Sequence, residues 1–260
     1  MAVSWAQDAL AVASGGAVGF SLGLIGGGGS ILAVPLMFYL VGVPDAHVAI
    51  GTSAIAVGAT AAANLVQHAR RGTVKWRCAA VFAAAGVAGA FAGSSLSKLV
   101  DGQRLLVMFA LLMFVVGASM LRRRGSAGRE GVHLSRENLP RLLLLGVFTG
   151  LLAGFFGIGG GFLIVPGLML ATGMPILNAI GSSLVAVSAF GLATAANYAW
   201  SGLVDWELAA IFLAGGVVGG LAGAALARRL ADKRGALNVV FACVIFAVAT
   251  YMLARTVGGI

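Results

Sequence analysis

The feature that most constrains the fold of this chain is a long stretch without a formal charge. Between Arg141 and Asp205 the sequence contains no Asp, Glu, Lys or Arg. A helix needs about 20 apolar residues to cross the hydrocarbon core of a bilayer, so this stretch has room for more than two crossings. Soluble domains carry about one charged residue in four, whereas here 10% of the residues are charged and 60% are hydrophobic. We therefore predict an all-α integral membrane protein.

The sequence contains two copies of one apolar pattern. Residues 19–35 read GFSLGLIGGGGSILAVP and residues 150–166 read GLLAGFFGIGGGFLIVP, so that five glycines and the final Val-Pro coincide. Each copy continues with G-x-P, A-I-G-[ST]-S and G-x-V-x-W in the same order. The duplication predicts a first transmembrane repeat over residues 1–121 and a second over residues 142–260, joined by a basic cytoplasmic linker over residues 122–141.

Each copy has one long, glycine-broken apolar segment followed by three ordinary ones. The long segments cover residues 9–41 and 142–171. The ordinary segments are expected at residues 48–67, 78–97 and 105–121 in the first copy and at residues 178–200, 207–227 and 236–254 in the second. Whether each long segment crosses the membrane once or folds back as a hairpin decides the topology.

The distribution of basic residues favours the hairpin. Cytoplasmic loops carry an excess of Lys and Arg. If each long segment crosses once, the 17 basic residues divide eleven to six between the two sides, and if each is a hairpin they divide fourteen to three. Hairpins make the second repeat inverted relative to the first, with basic loops in the cytoplasm and both termini outside. The expected location is the inner (plasma) membrane, as a multi-pass protein.

Duplicated, glycine-broken helices are typical of secondary transporters with inverted repeats, which hold substrate near the midplane. The motif G-x-x-x-G-x-x-G-x-G-G-x-x-x-x-V-P occurs in both halves, followed by G-T-S or G-S-S and by G-x-V-x-W. This pattern resembles the TauE/SafE family of membrane permeases, also called sulfite exporters or four-toluene sulfonate uptake permeases. The resemblance covers essentially the whole chain and implies transport of small sulfur-containing anions such as sulfite or organosulfonates.

The two glycine clusters form the predicted anion site. A helix that restarts after a break presents unpaired N–H groups and a partial positive charge, which bind an anion without a basic side chain. The predicted substrate-binding positions are Gly26, Gly27, Gly28, Gly29, Ser30, Gly157, Gly159, Gly160 and Gly161. The alternative is close helix packing through small residues, which is our interpretation of Gly86, Gly89, Gly93, Gly216, Gly219 and Gly223.

Polar side chains inside the apolar segments extend the predicted site. Hydroxyls and amides donate to sulfonate oxygens, and the substrate-binding candidates are Thr52, Ser53, Asn64, Gln67, Ser182, Ser183 and Asn197. Ser and Thr in such helices also bond their own backbone or a neighbouring helix, and buried amides also join helices, so both alternatives stay open. Lys98 and Arg228, which align at a helix end, are expected to anchor the membrane interface.

Residues that other functions need are missing from the apolar segments. No carboxylate lies inside one, and the glycine clusters match neither a phosphate-binding loop nor a dinucleotide fingerprint. We therefore expect no cofactor, no metal and no enzymatic activity. The net charge of +9 lies in the loops and indicates topology and contact with the lipid bilayer, without a nucleic-acid partner.

Transport of an anion out of the cell is the expected direction. Export from an inside-negative cell is favoured by about 2.3 kcal/mol per charge per 100 mV, and the sequence offers no buried acid that could couple uptake to protons. The expected partner is thus a small anionic substrate. An importer of a different small organic anion and an accessory subunit without transport activity are the alternatives, and the oligomeric state is left open.

Overall fold

The computed structural model describes residues 5–122, 132, 134–157, 161–229 and 234–257. Its α-helices are α1 Trp5–Ile25, α2 Ala33–Pro35, α3 Ala46–Arg70, α4 Trp76–Ser97, α5 Gly102–Arg122, α6 Leu139–Phe156, α7 Gly161–Thr172, α8 Ile176–Trp200, α9 Trp206–Arg229 and α10 Arg234–Val257. By length and composition, seven of them can cross a membrane: α1, α3, α4, α5, α6, α8 and α9. The predicted all-α membrane fold is confirmed. Most of the predicted linker lies outside the described residues.

Each glycine-broken segment begins as a full-length helix and then turns back. After α1, Gly26 takes a left-handed backbone conformation with φ of +79°, which glycine adopts without strain. The return segment of the first repeat comprises the 3₁₀-helix Gly26–Leu32, the single turn α2 and the π-helical Leu36–Leu40. In the second repeat Gly157, with φ of +68°, caps α6, and α7 is the return segment.

The packing directions show that both segments are hairpins. Glycines along α1 contact successive residues of α9 in the same order, so the two helices are parallel, and α6 is parallel to α4 for the same reason. α3 is antiparallel to α8, because Gly51 contacts the end of α8 and Gly58 contacts its middle. Consequently α1 and α3 both begin near the turn at Gly202, and α6 and α8 both begin near the turn at Gly72. We call these the Gly202 end and the Gly72 end.

Helices of the two repeats pair across the molecule. α1 packs on α9 and α6 packs on α4, while α3 packs on α8 and α5 on α10. We call the contact of α1 with α9, together with the adjacent α3, the first seam. The contact of α6 with α4, together with the adjacent α8, is the second seam. Since each segment returns to the end where it began, the hairpin prediction is confirmed, and the arrangement is consistent with two inverted repeats.

Glycines bring the paired backbones into direct contact along both seams. A Cβ on Gly19 would overlap the carbonyl oxygen of Gly216, and a Cβ on Gly150 would overlap that of Gly86. Further glycines of the same kind are Gly15, Gly23, Gly219 and Gly223 in the first seam and Gly89, Gly93 and Gly154 in the second. Stripes of small residues let membrane helices approach closely. The packing interpretation of the scattered glycines is therefore confirmed.

Tryptophans and long apolar side chains cover the outside of the helix bundle. The four tryptophans, Trp5, Trp76, Trp200 and Trp206, lie at helix ends and are 53–94% exposed. Tryptophan is enriched at the boundary between hydrocarbon and water. Between these levels apolar side chains such as Leu144, 72% exposed, cover the helix surfaces. An exposed surface of this composition fits contact with lipid.

Candidate functional site

The two hairpin tips lie against the opposite repeat. Gly26 contacts the side chain of Ile180 in α8, and Gly157 contacts that of Ile50 in α3. The 3₁₀-helix that begins at Gly26 also packs against α7, so the two return segments meet inside the bundle. Of the predicted positions, Gly26, Gly28, Gly29, Ser30, Gly157 and Gly161 are buried, Gly27 belongs to the 3₁₀-helix, and Gly159 and Gly160 lie outside the described residues.

The glycines at the tips also serve the fold. A Cβ on Gly29 would overlap the backbone of Ser21 and Leu22, so the return segment packs tightly on α1. In the second repeat the N–H of Gly157 donates to the carbonyl of Gly154 at 3.3 Å and completes the cap of α6. One of the predicted backbone donors is therefore already bonded within the protein, and the first cluster is a helical turn rather than an open break.

Thr52 and Ser182 form equivalent bonds between the repeats. The Thr52 hydroxyl accepts a hydrogen bond from the N–H of Asp205 at 2.9 Å, and the Ser182 hydroxyl accepts one from the N–H of Lys75 at 2.9 Å. The first bond joins α3 to the turn at the Gly202 end, and the second joins α8 to the turn at the Gly72 end. Each bond therefore ties the two repeats together at one end of the molecule.

Ser53 and Ser183 bond their own helices. The Ser53 hydroxyl donates to the carbonyl of Ile50 at 3.1 Å, and the Ser183 hydroxyl donates to that of Ile180 at 2.7 Å. Both are fully buried. The duplicated hydroxyl pairs thus have protein partners in equivalent places, and their contact with a substrate stays a prediction.

Asn197 is the centre of a fully bonded polar cluster at the Gly202 end. Its amide nitrogen donates to the hydroxyls of Ser94 at 2.6 Å and Ser95 at 2.9 Å, and its Oδ1 accepts from the Lys98 ammonium at 2.8 Å. Lys98 also donates to the Asn197 carbonyl at 3.2 Å and to the Ser201 hydroxyl at 2.9 Å. Lys98 lies at a helix end as expected, but its bonds go to the other repeat.

Asn64 and Gln67 lack the partners that Asn197 has. Asn64 is 3% exposed, and its Nδ2 has no hydrogen-bond partner. The Oε1 of Gln67 accepts from the Arg71 guanidinium at 3.4 Å, whereas its Nε2 is buried without a partner. A buried donor left unpaired costs about 1–3 kcal/mol. Such groups are few in native structures, and each calls for an explanation such as an ion or a water.

Sequence reasoning missed two further buried polar residues, one in α1 and one in α3. Ser14 is 1% exposed and its hydroxyl has no partner, while Thr60 is 2% exposed and faces Gly216. A signal was available, because a polar residue within a membrane span usually faces the interior of the bundle. The sequence analysis selected amides and those hydroxyls that occur in both repeats, and Ser14 and Thr60 belong to neither group.

Two clefts open at the opposite ends of the molecule. The cleft at the Gly202 end has a volume of about 590 Å³ and is lined by Asp45, Asp101 and Lys98, among others. The cleft at the Gly72 end has a volume of about 310 Å³ and is lined by Lys75 and Arg77 without an acidic residue. Of these two clefts, the charges therefore favour an anion at the Gly72 end.

The chain is similar to membrane transporters along nearly its whole length. It matches the family described as "Sulfite exporter TauE/SafE" over residues 11–252. It is 53% identical over 249 residues to a "Probable membrane transporter protein" of Xylella fastidiosa (strain Temecula1 / ATCC 700964), with 94% of each chain covered. It is 27% identical over 210 residues to "Probable membrane transporter protein YdhB" of Bacillus subtilis (strain 168), with 80% of this chain and 85% of the relative covered. No solved structure matches the chain significantly.

Proposed function

Because the chain belongs to the sulfite exporter TauE/SafE family of membrane transporters, we propose that it exports small sulfur-containing anions such as sulfite or organosulfonates. The family description supports this class of substrate. The printed names of the relatives are those of transporters and not of enzymes.

The observation that carries the proposal is the meeting of two glycine-broken hairpins inside the bundle. Transporters with inverted repeats bind substrate at broken helices of this kind and expose it to either side by rocking one repeat against the other. In this proposal the backbone N–H groups around Gly28 and Gly161 bind the anion, helped by the positive ends of the 3₁₀-helix Gly26–Leu32 and of α7. Backbone donors suit transport because they bind an anion without a fixed positive charge, and a fixed positive charge slows the release of the anion.

Two inter-repeat bonds have the positions that gates need. The bond between Thr52 and Asp205 closes the Gly202 end, and the bond between Ser182 and Lys75 closes the Gly72 end. In this proposal each bond breaks when its end opens and re-forms when it closes. Both are made in this structure, which suits a state closed at both ends.

The direction of transport follows from charge. With the hairpins, 14 of the 17 basic residues lie on one side, which we take as the cytoplasmic side of the inner membrane. The Gly72 end then faces the cytoplasm and both termini face outward. An anion that enters at the Gly72 end leaves down the membrane potential, which supplies about 2.3 kcal/mol per charge per 100 mV.

Flux from proteoliposomes tests the proposal. The purified protein is reconstituted, the vesicles are loaded with a sulfonate that stays ionised at neutral pH, and an inside-negative potential is imposed. We expect efflux to accelerate with the potential and to ignore a pH gradient. Protein-free vesicles and vesicles loaded with chloride are the controls. Efflux that tracks the pH gradient and ignores the potential contradicts the proposal, and so does the absence of flux for every sulfur-containing anion tested.

A further inference from the structure

We propose that the anion crosses the inner half of the protein through the first seam, along the side chains of Ser14, Thr60, Asn64 and Gln67. This inference rests on the proposed function and adds the route and its donors. In this structure the seam is closed. The donors meet the anion when the repeats rock and α1 moves away from α9.

Unpaired donors inside the first seam are the first argument. The Nδ2 of Asn64 and the hydroxyl of Ser14 are buried and have no partner. Asn64 is directed at the glycine stripe of α9, because a Cβ on Gly220 would lie 2.7 Å from both its Nδ2 and its Oδ1. One turn away, Thr60 is directed at Gly216 in the same manner. The Nδ2 of Asn64 and the hydroxyl of Ser14 therefore remain available to a ligand.

The chemistry of these groups selects an anion. At Ser14, Asn64 and Gln67 the atoms without partners are a hydroxyl and two amide nitrogens, all of which donate hydrogen bonds. Sulfite and sulfonate oxygens accept hydrogen bonds. The carboxylates of α1 and α9, Asp8 and Glu207, lie in the first turns of these helices at the Gly202 end, away from the Gly72 end. Neutral donors bind an anion and also let it leave, which transport requires.

Positively charged residues surround the Gly72 end of the first seam, where the anion enters in this proposal. Gln67, the last member of the row, bonds Arg71 through its Oε1 and keeps its Nε2 unpaired. Arg70 belongs to the same turn, and Lys75 and Arg77 line the nearby cleft. Clustered positive charge raises the local concentration of anions. An anion drawn to this end therefore finds a donor at the inner edge of the charged region.

The second seam has a shorter row, since of its described polar residues only Thr194, the equivalent of Asn64, keeps a buried hydroxyl without a partner. At the positions equivalent to Ser14 and Thr60 the second repeat has Leu145 and Phe190. The ring of Phe190 lies against Gly86 and stacks on Phe82 with centroids 6.3 Å apart. The second seam is therefore filled by aromatic carbon at the level where the first seam has the hydroxyl of Thr60.

Thiol labelling tests the route. In a background with Cys78→Ser and Cys243→Ser, the variants Thr60→Cys and Thr194→Cys place one thiol in each seam, both at fully or nearly fully buried positions. The probe is a thiosulfonate reagent that carries a sulfonate, applied to transporting vesicles. Because labelling follows access, we expect roughly tenfold faster modification of Thr60→Cys than of Thr194→Cys. An excess of a non-reactive organosulfonate should slow the modification of Thr60→Cys alone.

A second variant keeps the test valid if Thr60→Cys fails to fold. The flux of the wild-type protein separates a failure of the route from a failure of the proposed function. Ser14→Cys replaces a hydroxyl by a thiol in the same seam and is expected to behave as Thr60→Cys does. Equal labelling of both seams, or labelling of the first seam that organosulfonate does not slow in either variant, overturns the route while leaving the proposed function intact. A wild type that moves no sulfur-containing anion in the same vesicles removes the proposed function itself.

Discussion

In the first seam the hydroxyl of Thr60 faces Gly216, and at the equivalent place in the second seam the ring of Phe190 lies against Gly86. The backbones of the two seams pack in the same way, through glycines that contact carbonyl oxygens across the helix pair. What differs is the set of side chains from α3 and α8 that packs against these glycines. The duplication thus keeps the scaffold equal, while the side chains give the first seam three unpaired donors, at Ser14, Asn64 and Gln67, and the second seam one, at Thr194.

The same contrast continues at the ends of the seams. Asn197 of the second repeat is bonded to Lys98 and to two serine hydroxyls. Gln67, its equivalent in the first repeat, keeps an unpaired amide nitrogen. A fully bonded cluster holds two helices in one arrangement, whereas an unpaired donor leaves capacity for a ligand. Equivalent positions therefore carry a structural role in one repeat and a proposed binding role in the other.

The largest expected effect comes from breaking the shared scaffold. Gly19→Ala and Gly150→Ala each place a Cβ inside a carbonyl oxygen of the facing helix, so both should lower the free energy of unfolding by about 3 kcal/mol or more. The measurement is thermal unfolding in detergent. Gly16→Ala is the matched control, because its Cβ would lie 3.7 Å from the nearest facing atom. Similar melting of all three variants contradicts the close packing described for both seams.

A smaller effect is expected from the polar clusters, and it should differ between the seams. Lys98→Met removes the donor of three bonds and leaves the Asn197 Oδ1 without its partner, which should destabilise the protein by about 2 kcal/mol. Gln67→Leu removes one long bond to Arg71 together with a buried donor whose unpaired state costs about 1–3 kcal/mol, so it should not lower stability. Thermal unfolding of both variants side by side checks the difference, and equal losses would show that the clusters are alike.

The smallest effect should be equal at the two ends. Thr52→Val and Ser182→Ala each remove the acceptor of one backbone N–H in the other repeat, and each should cost about 1 kcal/mol of stability. If these bonds act as gates, Thr52→Val should also raise the reactivity of a cysteine at the Gly202 end, and Ser182→Ala that of one at the Gly72 end. A change at the wrong end would contradict the assignment of the gates.

The fold was largely predictable from the sequence because membrane insertion follows simple patterns. Apolar length gave the helices, the charge distribution favoured the hairpins, and glycine spacing indicated the packing stripes. The cap formed by Gly157 was not predicted, since the cluster was interpreted as an open break. The pairing of helices between the two repeats was also not predictable from the sequence. A sequence repeat shows which local patterns recur, but it does not show which distant helices pack together.

The residue types at the candidate site were predictable from the sequence, but their hydrogen-bond partners were not. Asn64, Gln67 and Asn197 were selected together, because polar residues in a membrane span face the interior. Their different states depend on Lys98 and on the glycines of α9, which are distant in sequence. Ser14 and Thr60 were passed over because the matching positions of the other repeat, Leu145 and Phe190, are not polar. That lack of a match is what distinguishes the two seams.

The most direct test of the account compares equivalent buried donors in the two seams by transport. Asn64→Leu removes the central donor of the first seam, and Thr194→Val removes the hydroxyl at the matching position of the second. We expect potential-driven sulfonate efflux to fall by about tenfold or more in Asn64→Leu, since a lost hydrogen bond to a charged ligand is worth about 1.5–3 kcal/mol. Thr194→Val should retain the wild-type rate at comparable thermal stability. Equal rates in the two variants, or a loss confined to Thr194→Val, would contradict the central claim that the first seam conducts the anion.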